Sequence, residues 1–299
     1  MKIMFPRDAN LFRTLWKHKL LTTRAIWLSE FESASLKTCY QRLLKLESSN
    51  HIKSVRVGDS GYAWTLSVNG YNVLKDQMPQ LKIPGYGSES PLHDLIVLSA
   101  SYVDSWPNLY SGLSILTDEE IKRHNLENLP EWFPFELIRR PDGIWRNANT
   151  EKLFAIEVEI NLKAIAKYES IATQYQDSEN ITRVVWFVPS LSMAEKILSS
   201  IKTRLGTTTS KHVFFSIPNL ITYGLNSYPL LEQVNRKSLG ELLEITQGTL
   251  SVPGRRWCHL DISKTPYKSI SSKNLFDSAN PDLATYLKST PFSNLIKIS

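Results

Sequence analysis

An amphipathic segment followed at once by two β-prone runs around a glycine turn constrains the first quarter of this chain more than any other feature. In residues 35–46, SLKTCYQRLLKL, helical periodicity places Leu36, Tyr40, Leu43 and Leu44 on one side and Lys37, Thr38, Gln41, Arg42 and Lys45 on the other. The runs HIKSVRV and YAWTLSV flank Gly58-Asp59-Ser60-Gly61, where Asp and Ser beside Gly supply the positive φ of a tight hairpin turn. Upstream, Leu11, Phe12, Leu15, Trp16 and Leu20 recur at helical spacing after Asp8, an expected N-cap. A first helix is therefore predicted over residues 8–18, a second over 23–30, and a closing helical start over 69–74.

Helix, helix, helix, hairpin is the order of a winged helix-turn-helix, and residues 1–77 are read as such a DNA-binding domain. The last helix of that motif enters the major groove, where Gln and Arg bond base edges and Lys bonds phosphate. Lys37, Thr38, Gln41, Arg42 and Lys45 are accordingly the expected DNA contacts, joined by Arg56 of the hairpin. Charge agrees with this assignment. Residues 1–77 carry 12 Lys/Arg against 6 Asp/Glu, residues 78–190 carry 10 against 16, and residues 191–299 carry 13 against 7. Basic flanks suit phosphate, while the acidic middle suits a site that collects divalent cations.

Residues 78–90 hold two prolines and two glycines with little periodicity, and are read as a linker. A second domain is expected over residues 91–249 and a basic extension rich in Ser, Lys and Asn over 250–299, where Trp257 beside Arg255 and Arg256 is a candidate for stacking on an exposed base. Cys39 and Cys258 are far apart, so neither a disulfide framework nor a zinc site is expected. No apolar run approaches the roughly 20 residues of a membrane helix, and the first residues lack a signal-peptide layout, so a cytoplasmic, non-membrane protein is expected.

Candidate chemistry concentrates in residues 137–175. Residues 152–160 alternate as a strand, with Ala155, Glu157 and Glu159 on one face and Ile156, Val158 and Ile160 on the other. Residues 137–145 can pair with it through the polar turn at residues 146–151, and in the favourable register Asp142 joins the acidic face. Asp142, Glu157 and Glu159 would then share one Mg²⁺ or Mn²⁺, because hard cations prefer carboxylate oxygen. Lys163 and Lys167, four apart on a helix expected from about residue 162, could steady developing negative charge. His93 and Asp94 open a further helix at residues 91–105, where His93 is either a capping group or an accessory near the phosphate. Two acids spaced by one also suit a solvated sheet edge, and Tyr168 and Tyr175 read as packing residues. Glu119 and Glu120 read as first-turn helix acids outside the site.

Pro141-Asp142, then Glu157-Val158-Glu159, then a displaced Lys163 resembles a variant of the PD-(D/E)xK nuclease fold. The resemblance implies an α/β restriction-endonuclease-like domain with a mixed central sheet, in which an Asp and a Glu on adjacent antiparallel strands bind metal and a Lys assists. The usual Lys position is Glu159 here, so Lys163 or Lys167 must have taken its role. The downstream order, a strand at residues 181–188, a helix at 192–205 and a strand at 212–217, is similar to that core. With the His93-Asp94-Leu95 signature, the whole resembles the replication-relaxation group that includes MobC-type mobilization relaxases. What that resemblance implies is metal-dependent nicking of double-stranded DNA at an origin-like site during plasmid mobilization, with other mobilization proteins and a second copy of the chain as candidate partners. The alternative is a transcriptional or replication regulator whose nuclease-like domain is inactive.

Overall fold

The computed structural model describes residues 6–31, 33–57, 61–77, 90–101, 112–123, 126–206, 209–231 and 237–245. The protein is mixed α/β with two sheets, one of three strands and one of five. Among the described residues no helix is long and apolar enough to cross a membrane. The turn at residues 58–60, most of the expected linker and the extension with Trp257 lie outside the described residues.

The first unit follows its periodicity closely. Helix α1 (Pro6–His18) is followed by a two-residue strand β1 (Leu21–Thr22), helix α2 (Thr23–Glu30), helix α3 (Leu36–Ser48), strands β2 (Ile52–Val57) and β3 (Gly61–Leu66), and helix α4 (Val68–Leu74). Local chemistry sets the starts. The hydroxyls of Thr22, Ser35 and Ser67 accept from Ala25, Thr38 and Gly70 N–H groups, filling donors that a helix start leaves open. Strand β3 lies between β1 and β2 and is antiparallel to both, with Val57 opposite Gly61. Helix α4 lies against the His51 carbonyl, and a Cβ on Gly70 would stand 2.1 Å from that oxygen, so only glycine fits there.

Two expectations for this unit are corrected. Helix α1 begins at Pro6, and Asp8 lies inside its first turn, 1% exposed, where both its oxygens receive the Arg42 guanidinium fork. On α3 the buried side chains are Cys39, Leu43 and Leu46, while Leu36, Tyr40 and Leu44 are 40%, 47% and 42% exposed. The Arg42–Asp8 pair supplies the reason: it turns the 39-42-43-46 side of α3 inward, towards the rest of the unit.

The second unit is built on β4 (Leu113–Thr117), β5 (Gly143–Asn147), β6 (Leu153–Val158), β7 (Ile181–Val188) and β8 (His212–Ser216), in that spatial order. The β4–β5–β6 pairs are antiparallel and the β6–β7–β8 pairs parallel. The strand expected across residues 137–145 is thus displaced, beginning at Gly143. Helix α5 (Pro91–Ser101) precedes the sheet, and the short α6 (Asp118–Arg123) follows β4, opening on three acids as a helix start favours. Helices α7 (Ile165–Asp177) and α8 (Leu191–Leu205) make the crossovers that the parallel pairs require. Two short helices, α9 (Ile217–Tyr223) and α10 (Leu239–Leu242), end the described chain.

The sheet is buried on both faces, which is why β6, β7 and β8 read as near-continuous apolar runs. One face carries Ile144, Ala155, Val184, Trp186 and Phe214 against Ile171 and Ala172 of α7 and Ile197 and Ile201 of α8. The other carries Phe154, Ile156, Val185, Phe187 and Phe215, in a cluster that continues through Leu95 and Leu98 of α5 into Leu11, Phe12, Leu15, Leu43 and Trp64 of the first unit. The two units therefore share one core instead of hanging on a linker.

Removing one partner of a buried ion pair strands the other charge. Arg42→Ala is expected to lower unfolding free energy by about 1–3 kcal/mol, because Asp8 loses its fork, whereas exposed Lys37→Ala on the same helix stays within about 0.5 kcal/mol; urea denaturation of the two variants measures the difference.

Candidate active site

Asp142 is the residue around which the site is built. It stands one position before β5, and three of its groups are tied down. Its N–H donates to Ile156 O at 3.0 Å, its carbonyl accepts Asp118 N–H at 3.1 Å, and its Oδ2 accepts Val158 N–H at 2.8 Å. The side chain thereby takes the place of a backbone acceptor at the end of β6, where the antiparallel ladder with β5 has stopped. Beside this carboxylate, His93 in the first turn of α5 donates from Nε2 to Val158 O at 3.0 Å, and the same nitrogen is 3.4 Å from Asp142 Oδ2.

Glu157 and Glu159 lie on the α7 face of β6 and its continuation, as the alternation predicts. Glu157 is 2% exposed; its Oε1 accepts the Tyr175 hydroxyl at 2.6 Å, and its Oε2 is 3.5 Å from the Arg139 guanidinium. Glu159, also buried, pairs with Lys163 at 2.7 Å. Lys163 precedes α7 and is not on it, so the expected helical face shared with Lys167 does not form; Lys167 sits exposed in the first turn of α7. The chain between Glu159 and α7 is held by Tyr168, whose hydroxyl accepts Lys163 N–H at 2.8 Å.

Charge interactions bind these groups into one system. Burial pushes the Glu157 carboxyl up to about 7, and the negative charge of Asp142 adds to the rise against the opposing pull of Arg139 and Tyr175. Burial also raises Glu159, with Lys163 opposing. For Asp142 burial works upward too, but His93, the Val158 N–H and Lys163 outweigh it and hold the group below the usual carboxylate range. Burial alone would depress His93; Asp142 and Asp94 overcome it and lift the imidazole to about 10. The result at neutral pH is an ionised Asp142 against a cationic His93, next to a Glu157 poised near half-protonation.

Donor chemistry bears on the expected cation. Asp142 and Glu157 offer hard oxygens on neighbouring strands, and Asp142 Oδ1 carries no hydrogen bond among the described residues. Glu159 is held by Lys163 and does not complete a triad; among the described residues no group of three or more His, Cys, Asp or Glu is arranged to hold a metal ion. Both Glu157 oxygens are engaged, by Tyr175 and Arg139, and Asp142 Oδ1 is the one carboxylate oxygen of this pair without a hydrogen bond among the described residues, so the three-carboxylate arrangement that the alternation suggested is not formed.

Arg139 carries no distinct signal in the sequence, and the spacing of Tyr168 and Tyr175 points to packing alone. The tyrosines do pack, as expected, but each also presents its hydroxyl to the site. Arg139 is placed by Gln174 of α7, whose Oε1 accepts the Arg139 N–H at 2.5 Å and whose Nε2 donates to its carbonyl at 2.8 Å. The only available hint was i, i+1 placement of Gln174 and Tyr175 on the helix after the acidic strand. On the other unit, Lys37, Thr38, Gln41 and Lys45 of α3 and Arg56 of β2 are exposed, while Arg42 is directed inward to Asp8. Compared with known protein families, curated proteins and solved structures, the chain matches none.

A carboxyl whose folded pKa is raised makes folding less favourable as pH climbs from its unfolded value towards its folded one. With Glu157 rising from 4.5 to about 7, Glu157→Gln is expected to be more stable than the parent above pH 7, by roughly 1–3 kcal/mol, with the gap closing as pH falls to 5. Thermal melts of both proteins from pH 5 to 8.5 check the sign; a gap that widens towards acid pH contradicts it.

Proposed function

We propose that this chain is a site-specific DNA-binding protein in which a winged helix-turn-helix unit reads duplex DNA and a nuclease-like unit nicks one strand with Mg²⁺ or Mn²⁺. The observation that carries the reading is the convergence of Asp142 and Glu157 on adjacent antiparallel strands, close enough for one charge to shift the other's titration. Support for the first half comes from the three helices and hairpin, and from an exposed α3 surface bearing Lys37, Thr38, Gln41 and Lys45 with Arg56 nearby in β2. Support for the second comes from the order of helix, three antiparallel strands, helix and parallel strand around the acids, which is similar to the PD-(D/E)xK core. Cytoplasmic work on an origin-like plasmid site, alone or with mobilization proteins or a second copy of the chain, is the biological setting that this resemblance implies.

In such a reaction Asp142 and Glu157 would hold the cation, which supplies Lewis-acid polarisation of the phosphate and a more acidic attacking water. The chain's own part is separable. Val158 N–H and His93 fix the Asp142 carboxylate, and Tyr175 and Arg139 fix Glu157. Lys163 neutralises Glu159, so that this third acid does not repel an incoming phosphate. Burial raises the Glu157 carboxyl in the metal-free protein, so taking up a cation there would release its proton.

A second reading has an observation of its own. Each of the three acids has a cationic neighbour, His93, Arg139 or Lys163, so the cluster is neutralised without a metal. That favours a transcriptional or replication regulator with an inactive nuclease-like unit. Supercoiled plasmid carrying the cognate mobile-element origin, incubated with Mn²⁺, separates the two. Nicking at one site that falls at least about a hundredfold in Asp142→Ala supports the enzyme; tight binding with no nicking supports the regulator.

DNA recognition by α3 has its own check. Lys37→Ala with Lys45→Ala is expected to weaken duplex binding and to lower the slope of log K against log salt by about 1–2, one for each phosphate that a lysine no longer neutralises. An unchanged slope, measured by fluorescence anisotropy between about 50 and 200 mM salt, rules out α3 as the phosphate-tracking element.

A further inference from the structure

We infer that Lys19, contributed by the first unit, is a positioning residue for the acidic site of the second, acting through Asp94 and His93. Lys19 follows α1, is 8% exposed, and has a left-handed backbone with φ of 67°. A lysine seldom adopts that conformation unless its surroundings impose it. Here they do. The Lys19 carbonyl accepts the Thr65 hydroxyl at 2.6 Å, and its ammonium lies 3.0 Å from Asp94 Oδ1 and 3.9 Å from both Asp118 Oδ2 and Glu119 Oε2.

Asp94 and His93 are consecutive in the first turn of α5. Asp94 Oδ1 stands between the Lys19 ammonium and His93 Nδ1, the latter at 3.9 Å, and the far side of the same imidazole meets Val158 O and Asp142 Oδ2. Among the described residues Lys122, bonded to Asp118 at 2.7 Å, and Lys17, 3.6 Å from Glu120, flank this row, and Glu159 and Lys163 act on His93 and Asp142 from the end of β6. Removing the Lys19 ammonium takes away its 3.0 Å hydrogen bond to Asp94, the tie between the end of α1 and the first turn of α5, and loosens the turn that carries His93. The imidazole is the group that then leaves Asp142.

The same arrangement reaches back to the DNA-facing helix. Asp8 near the start of α1 is clamped by Arg42 of α3, and Lys19 just beyond its end is clamped by α5 and α6. Helix α1 is thus a strut with a charged joint at each end, holding α3 at a set distance from Asp142. The catalytic side of this inference rests on the nuclease reading; the positional side does not.

Val158 N–H reports the seat of Asp142 directly, since that carboxylate is its acceptor, and Val184 N–H, bonded to Lys211 O at 2.8 Å, reports the far side of the sheet. In full-length Lys19→Met, amide exchange followed by two-dimensional NMR is expected to be about tenfold faster at Val158 and within about twofold of the parent at Val184. Lys19→Arg restores most of the protection. Should Lys19→Met fail to fold, Asp94→Asn, which leaves Lys19 with Asp118 and Glu119, carries the same expectation. In the plasmid assay Lys19→Met lowers kcat with KM unchanged. Unchanged exchange at Val158, or equal acceleration at both amides, overturns the positioning role. A parent protein that does not nick sinks the nuclease reading and leaves the exchange result to decide this one.

Discussion

The hydrogen bond from Val158 N–H to the Asp142 carboxylate is the interaction on which the arrangement of the candidate site depends. Where β5 and β6 part, a side chain does the work of a missing strand, so the acid is fixed with backbone precision instead of rotamer freedom. With His93 as the larger influence, this bond helps hold Asp142 below the usual carboxylate range against burial, and the Asp142 charge adds to the rise that burial imposes on Glu157. A polar group buried at a strand end is normally a cost. Here one oxygen of the carboxylate is matched by an amide and an imidazole, and the backbone carbonyl of the same residue by the α6 start.

Several acids of the middle region are compensated by cations close to them in the chain. Glu159 has Lys163 four residues away, Asp118 has Lys122 four residues away, and Glu157 has Arg139 on the preceding irregular segment. Such pairs keep an acidic middle region foldable, since unpaired carboxylates at this depth would each work against folding. They also explain why the region's net negative charge does not translate into a three-acid cage.

What the sequence made legible was whatever repeats within a few residues. The helices of the first unit, the hairpin, the alternation of Glu157 and Glu159, and the order of strand and helix after Glu159 all follow from period and turn chemistry. The rotation of α3 was not legible, because it is set by Arg42 reaching Asp8 across 34 residues. Nor was the role of Lys19, whose partner Asp94 is 75 residues away, or of Tyr175, whose hydroxyl meets a carboxylate 18 residues back. Strand β4 was missed for another reason: at the sheet edge its first three residues are partly buried and its last two buried, with no alternation. The shift of Lys163 off the helix follows from the Tyr168 hydroxyl holding its backbone amide, a tertiary bond that periodicity does not encode.

Helix α7 reaches the site at three points: Tyr168 at the Lys163 backbone, Gln174 at both backbone groups of Arg139, and Tyr175 at Glu157. The same buried face, Tyr168, Ile171, Ala172 and Tyr175 at i, i+3, i+4 and i+7, also carries the apolar packing against α8 and the sheet. A small slide of this one helix would therefore move an acid's hydroxyl partner, an arginine and a lysine loop together. Substitutions at the α7–α8 seam, where Arg204 of α8 also bonds Thr173 of α7, would thus be felt at the carboxylates.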